Sequence, residues 1–154
     1  LLKYNINVKF NLFGPNFNSE LVQTNNVEYF GSFDPSILPG KLKGKYGLVW
    51  DGNSIETCSG NTGNYLRYNN PHKTSLYLSA GIPVIVWKEA AIAEFVEKNK
   101  VGILVDNLLS LNDVLNSISE EEYGGMRSNA RSIGMKLRDG YFYKKAITSA
   151  LRKM

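Results

Sequence analysis

The sequence predicts an α/β fold: an open, doubly wound parallel sheet with helices on both faces. Three observations predict it. Tyr46–Asp51, Val84–Val86 and Val101–Asp106 contain short, unbroken apolar runs of the kind found in buried parallel strands. Stretches with helical spacing alternate with these runs, as strand–helix–strand units require. The residues with the clearest chemistry (Gly14 to Asn16, Phe30 to Phe33, Asp51 onward, and Asn70 to Lys73) all follow strand carboxyl ends, where such sheets bind ligands.

In order, Val8–Phe13 reads as the first strand, although Lys9 and Asn11 fit poorly in a strand buried on both faces. Gly14 at its exit permits close backbone approach to a ligand, as it would permit any turn. Phe17–Gln23 reads as a short helix capped by Asn18 or Ser19, and Val27–Gly31 as the second strand with its exit. Asp34-Pro35 opens a brief helix that stops by Gly40. Tyr46–Asp51 is the third strand. Asn53–Asn69 is rich in Ser, Thr, Gly and Asn and lacks a helical period, so a loop of about 17 residues is expected; such loops are usually functional or disordered. Tyr65, Arg67 and Tyr68 favour function, since they can anchor the loop and face a ligand.

Asn70–Trp87 carries the sharpest local signals. Asn70 can act as an N-cap, Pro71 suits the first helical position and Gly81 the exit, which predicts a helix over Pro71–Ala80. Lys73 can carry its ammonium in front of the first turn, where free N–H groups and the helix dipole favour an anion. A lysine added there suits a phosphate or diphosphate and does little for a core. A lone helix start would more often be a capped surface helix with a solvated lysine.

Beyond the fourth strand, a helix opens at Lys88-Glu89 and faces the sheet through Ile92, Phe95 and Val96. Val101–Asp106 is the fifth strand. Ser110 or Asn112 caps a helix through Leu115 and Ile118. Another starts near Ser119, is weakened by Gly124-Gly125, and runs to Asp139-Gly140. The last carries Phe142, Ala146, Ile147, Ala150 and Leu151.

At 154 residues the chain is one domain with room for a sizeable core, and 43% hydrophobic with 21% charged residues is ordinary for a globular protein. No apolar run approaches about 18 residues, the length that reads as a membrane-spanning helix. The opening Leu-Leu-Lys-Tyr-Asn has neither an initiator Met nor a signal-peptide core, so an excised domain is expected. The single cysteine, Cys58, rules out an internal disulfide and fits a reducing compartment; with one histidine, a Cys/His zinc site is not expected. The net charge of +4 does not point to nucleic acid, because the basic residues are scattered and carry no recognition motif. A mildly basic face that meets an anionic nucleotide or anionic lipid accounts for it.

Lys73 followed by Ala80-Gly81-Ile82-Pro83-Val84-Ile85 resembles the nucleotide-binding half of GT-B glycosyltransferases, in which a helix aims at the donor diphosphate and a Gly-x-Pro-Val strand follows. Gly47–Gly52, Thr57–Gly60 and Tyr65–Lys73 are more specific. They are similar to bacterial β-1,6-galactofuranosyltransferases of cell-surface polysaccharide synthesis, and more distantly to glucosyltransferases that glycosylate serine-rich adhesins. The resemblance covers residues 4–106.

It implies the Rossmann-like C-terminal half of a GT-B fold, binding a UDP-sugar whose galactofuranose or glucose is transferred. An N-terminal acceptor domain would be absent from this chain, and through it a glycan or glycoprotein acceptor would be the second partner. A homo-oligomer stays open. The implied location is cytoplasmic, peripheral at the inner face of the membrane. Lys73 would be the catalytic group, stabilising the leaving diphosphate without a metal or cofactor. The implied donor-binding set is Gly14, Asn16, Phe30, Arg67, Asn70, His72, Lys73, Thr74 and Ala91. Phe30, with Tyr29 and Phe33, lies where a uracil is expected in the family; each ring can equally fill core. Ala90 and Ala91 would offer N–H groups to the sugar from a helix start. Where many GT-B enzymes carry a ribose-binding glutamate, this chain has Tyr77, which leaves the ribose unassigned. His72, the single histidine, is better placed to touch phosphate or sugar than to act as a base.

A non-catalytic module of the same fold class, such as a receiver-like domain, is the alternative. It needs acids after the first strand and an acceptor Asp after the third. Asp51 meets the second need, but Gly14-Pro15-Asn16 supplies no acid. A dehydrogenase half is disfavoured by the lack of Gly-x-Gly-x-x-Gly.

Overall fold

The structure, a computed structural model, describes residues 7–18 and 26–152. Its centre is β4 (Val84–Trp87), all four residues of which are buried. β3 (Gly47–Val49) and β5 (Gly102–Val105) flank it in a three-stranded parallel sheet, with Gly47 opposite Val84 and Val84 opposite Gly102. Alternation along β4 builds the two sides of the core. Val84 and Val86 face Leu78 of α3 (His72–Ser79), Val96 of α4 (Ala93–Asn99) and Ile133 of α6 (Glu120–Arg138). Ile85 faces the other way, toward Leu108 and toward Leu111 of α5 (Leu111–Ser117). Helices therefore cover both faces, as the doubly wound plan requires.

One difference concerns the sheet. β1 (Phe10–Leu12) and β2 (Val27–Tyr29) pair in parallel with each other, and among the described residues they form a separate two-stranded sheet. The polar residues that fitted a central strand poorly are the physical reason. Lys9 pairs with Glu28 at 2.7 Å across the β1–β2 edge, and the Asn11 side chain donates to the Lys43 carbonyl at 3.0 Å. Asn11 thus spends a side-chain hydrogen bond on the segment before β3 where a continuous sheet would use backbone. The helix expected over Phe17–Gln23 lies largely outside the described residues.

The helical expectations are adjusted in three places. The short helix after Asp34 is α1 (Leu38–Lys41). Asn53–Asn69 holds α2 (Gly60–Tyr65), whose sequence Gly-Asn-Thr-Gly-Asn-Tyr has too little helix propensity to announce itself. Lys88–Ile92 forms turns, and α4 starts only at Ala93.

α6 starts where expected. Ser119 and Glu122 form a reciprocal capping box, with Glu122 N–H to Ser119 Oγ at 3.1 Å and Ser119 N–H to Glu122 Oε2 at 2.8 Å. These bonds to Ser119 hold the Glu122 carboxyl below the usual carboxylate range. The helix runs unbroken through Gly124-Gly125 because its other end is pinned to α3. Gly134 packs so closely there that a Cβ would overlap the Leu78 carbonyl oxygen, whereas a Cβ on Gly124 would meet nothing within 4 Å. Gly140, at φ +67°, turns the chain into α7 (Tyr141–Leu151). The apolar stripe of α7 is largely uncovered: Ile147 and Leu151 are exposed, while Phe142 packs edge-on against Phe95.

The two glycines make a matched test. Gly134→Ala is expected to lower unfolding stability by about 1–3 kcal/mol through overpacking against α3. Gly124→Ala, free of any clash, is expected to raise it by about 0.5–1 kcal/mol through helix propensity. Urea titrations of both variants check the opposite signs.

Candidate functional site at the strand exits

In a parallel strand–helix–strand unit the helix starts at the carboxyl end of the strand, so the exits of β3 and β4 and the start of α3 share one end of the sheet. Asp51 follows β3 and is half-buried. Lys73, in the first turn of α3, places its Nζ 2.8 Å from Asp51 Oδ1. The two side chains are 47% and 33% exposed, so this is a solvated pair worth about 0–1 kcal/mol.

The α3 terminus itself is uncapped by any side chain. Pro71 is the N-cap residue, and Asn70, expected in that role, is exposed and does not cap the helix. The amides of His72 and Lys73 have no acceptor within the helix, and the dipole places partial positive charge at the same point. His72 is exposed beside them. Thr74 points elsewhere: it is 3% exposed, its Oγ1 has no partner among the described residues, and it lines a cavity of about 260 Å³ with Leu78, Ile92, Phe95 and Phe142.

Arg67 forms the second cationic element. Its guanidinium lies 4.5 Å from the Trp87 ring centroid and is ion-paired to Glu89 after β4. Both cations between β3 and β4 are therefore held by carboxylates from strand exits, a role for Asp51 and Glu89 that spacing alone did not disclose. Asn69 was also missed: its Oδ1 is buried with no partner among the described residues.

The long connection that carries these groups is clamped. Gly52 fits against Ser59, and Gly63 against the backbone of Cys58, so closely that a Cβ on either would overlap main chain. Trp50 Nε1 donates to the Ser54 carbonyl at 2.9 Å, and Leu66 is buried. The Ala91 N–H, expected to be offered to a sugar, instead donates to the Leu66 carbonyl at 2.8 Å. The reason is that Ala91 lies in the turns before α4, whose first amides close onto neighbouring main chain.

Gly14, at φ +126°, meets the conformational need expected of it, but its N–H donates to the Gly31 carbonyl at 2.9 Å and its carbonyl accepts from the Tyr29 hydroxyl at 2.7 Å. Asn16 is exposed in the left-handed region at φ 65°. Phe30 stacks on Phe13 with centroids 5.0 Å apart, and the Lys43 ammonium lies 4.9 Å from its centroid. Tyr77 turns inward: its ring covers Gly47 so tightly that no Cβ would fit, and burial pushes its hydroxyl pKa up. A separate cleft of about 750 Å³, bounded by Phe10, Asn11, Leu48, Ile85 and Leu111, contains none of the candidate residues. No group of three or more His, Cys, Asp and Glu that could hold a metal gathers among the described residues.

The family model described as glucosyltransferase 3-like, C-terminal domain, matches residues 1–150. The chain belongs to this family. It is 39% identical over 147 residues to the β-1,6-galactofuranosyltransferase WbbI of Escherichia coli K12, covering 92% of the chain and 42% of that protein. It is 34% identical over 130 residues to glucosyltransferase 3 of Streptococcus gordonii, covering 84% of the chain and 38% of that protein. This glucosyltransferase 3-like domain therefore spans about two-fifths of the length of the curated relatives it matches. These relatives are glycosyltransferases, so the receiver-like alternative is set aside. No helix among the described residues is long and apolar enough to cross a membrane.

Cys58 reports on the clamp. It is 1% exposed beneath the Gly63 backbone, and burial pushes its thiol pKa up, so both access and thiolate supply are low. The native domain is expected to react with Ellman's reagent far more slowly than the urea-unfolded chain. Equal rates would mean that the 52–66 segment opens freely.

Proposed function

We propose that this domain binds the diphosphate of a UDP-sugar at the start of α3 and supplies the donor half of a glycosyl transfer. One observation carries the reading: the Lys73 ammonium stands beside an uncapped helix N-terminus at the strand exits, held only by a solvated carboxylate. A diphosphate can replace Asp51 cheaply. It gains charge-assisted bonds to Lys73 and to the first-turn amides, each stronger than a neutral hydrogen bond, and it gives up a pair worth little.

The same groups fit the chemistry. When the glycosidic bond to the donor breaks, negative charge grows on the departing diphosphate. A fixed ammonium and aligned amides stabilise that charge more than they stabilise the bound donor, which is what lowers a barrier. Arg67, stacked on Trp87 and paired with Glu89, holds the connection that leads into α3. In this proposal the nucleoside lies toward the β1 and β2 exits, where Phe13, Phe30 and Phe33 cluster. The transferred unit is a hexose, galactofuranose or glucose, as the relatives' names suggest. The acceptor, a cell-surface glycan or glycoprotein, meets the remaining length of the whole protein. The location proposed is the cytoplasmic face of the membrane.

UDP at a hundredfold excess over its Kd is expected to stabilise the domain by about 2.7 kcal/mol. Lys73→Ala is expected to lose most of that gain in a thermal-shift titration while the ligand-free melting point stays nearly constant. A variant that responds to UDP like the parent removes Lys73 from the site.

A further inference from the structure

The turn after α2 carries two tyrosines that the described residues leave uncovered: Tyr65 is 61% exposed and Tyr68 82%. The Tyr68 and Asn69 N–H groups donate to the Tyr65 carbonyl at 3.0 and 3.1 Å, so helical geometry continues through the turn. Residues three apart in such geometry share a face. The backbone beneath them is held firmly. Leu66 is buried and its carbonyl accepts the Ala91 N–H, while Arg67 lies over Trp87 and pairs with Glu89. Both residues between the tyrosines are anchored inward, and the tyrosines are left facing out beside the strand exits.

We propose that Tyr65 and Tyr68 form a platform for a hexose ring. A saccharide has apolar C–H faces, whose hydrogens carry slight positive charge, and a rim of hydroxyls. The π face of an aromatic ring is negative and packs well on the first; the second needs donors and acceptors. The turn offers both, because Arg67 lies between the two tyrosines in sequence and its guanidinium is paired with the Glu89 carboxylate. Clamping also removes most of the ordering cost that a mobile loop would incur on binding. A nucleobase has its own aromatic cluster at the β1 and β2 exits, so the tyrosine pair is free for the sugar. The proposal deepens the donor-binding reading and rests on it. Donor and acceptor hexoses present the same chemistry, so the test separates them.

Isothermal titration of the parent, Tyr65→Ala/Tyr68→Ala and Tyr65→Phe/Tyr68→Phe chains with UDP, UDP-glucose and free maltotriose provides that test. UDP is expected to bind all three equally. The alanine pair is expected to weaken one sugar-bearing ligand by roughly tenfold, and the phenylalanine pair to restore it, because stacking uses the ring and not the hydroxyl. Loss confined to UDP-glucose assigns the platform to the donor hexose; loss confined to maltotriose assigns it to the acceptor. A parent chain that binds neither sugar ligand, or alanine variants that bind both as the parent does, overturns the proposal. Absence of UDP binding would instead sink the donor reading and leave the maltotriose arm to decide this one.

Discussion

The burial of β4 is the constraint on which the rest depends. Val84 and Val86 are fully buried on one face and Ile85 is nearly so on the other, each side chain contributing about 1.5–3 kcal/mol relative to exposure. Parallel neighbours on both sides satisfy its backbone, so β3 and β4 must exit at the same end. Connections of this hand and length then bring α3 back to start at that end as well. The meeting of Asp51 with Lys73 follows from packing before any ligand is considered.

Electrostatics then separates structural from available charge. Lys73 and Arg67 are both ion-paired, to Asp51 and Glu89. Their pairs differ in kind. Lys73 is held by a flexible point-charge contact that water already screens, whereas Arg67 is also stacked on the buried Trp87, an arrangement that needs a planar guanidinium. Lys73 is thus the cation free to exchange partners, and Arg67 is the one that fixes the loop. The 52–66 segment supports this by interlocking through glycines, which bring main chain within reach of main chain.

Much of this was legible in the sequence. The three apolar runs, the helix through Lys73, and the Ser119 start of α6 declare themselves because local preference and tertiary need agree there. Other features were hidden because they are tertiary. α2 forms from a weak helical sequence when Gly63 and Leu66 lock it against Cys58 and Ala91. Asp51 was visible as a strand-exit acid, but its pairing with Lys73 across 22 residues comes only from the fold. Thr74 and Ala91 sit where a donor site would want them in sequence, yet one faces the core and the other has spent its N–H on Leu66. Lys9 and Asn11 were the visible warning that β1 would not make an ordinary central strand.

The most direct measurement is a crystal structure of this domain with UDP. The account predicts diphosphate oxygens about 2.7–3.2 Å from Lys73 Nζ and from the first-turn amides of α3, with Asp51 displaced from the ammonium. A bound UDP whose diphosphate lies away from α3, with Lys73 still paired to Asp51, would contradict it.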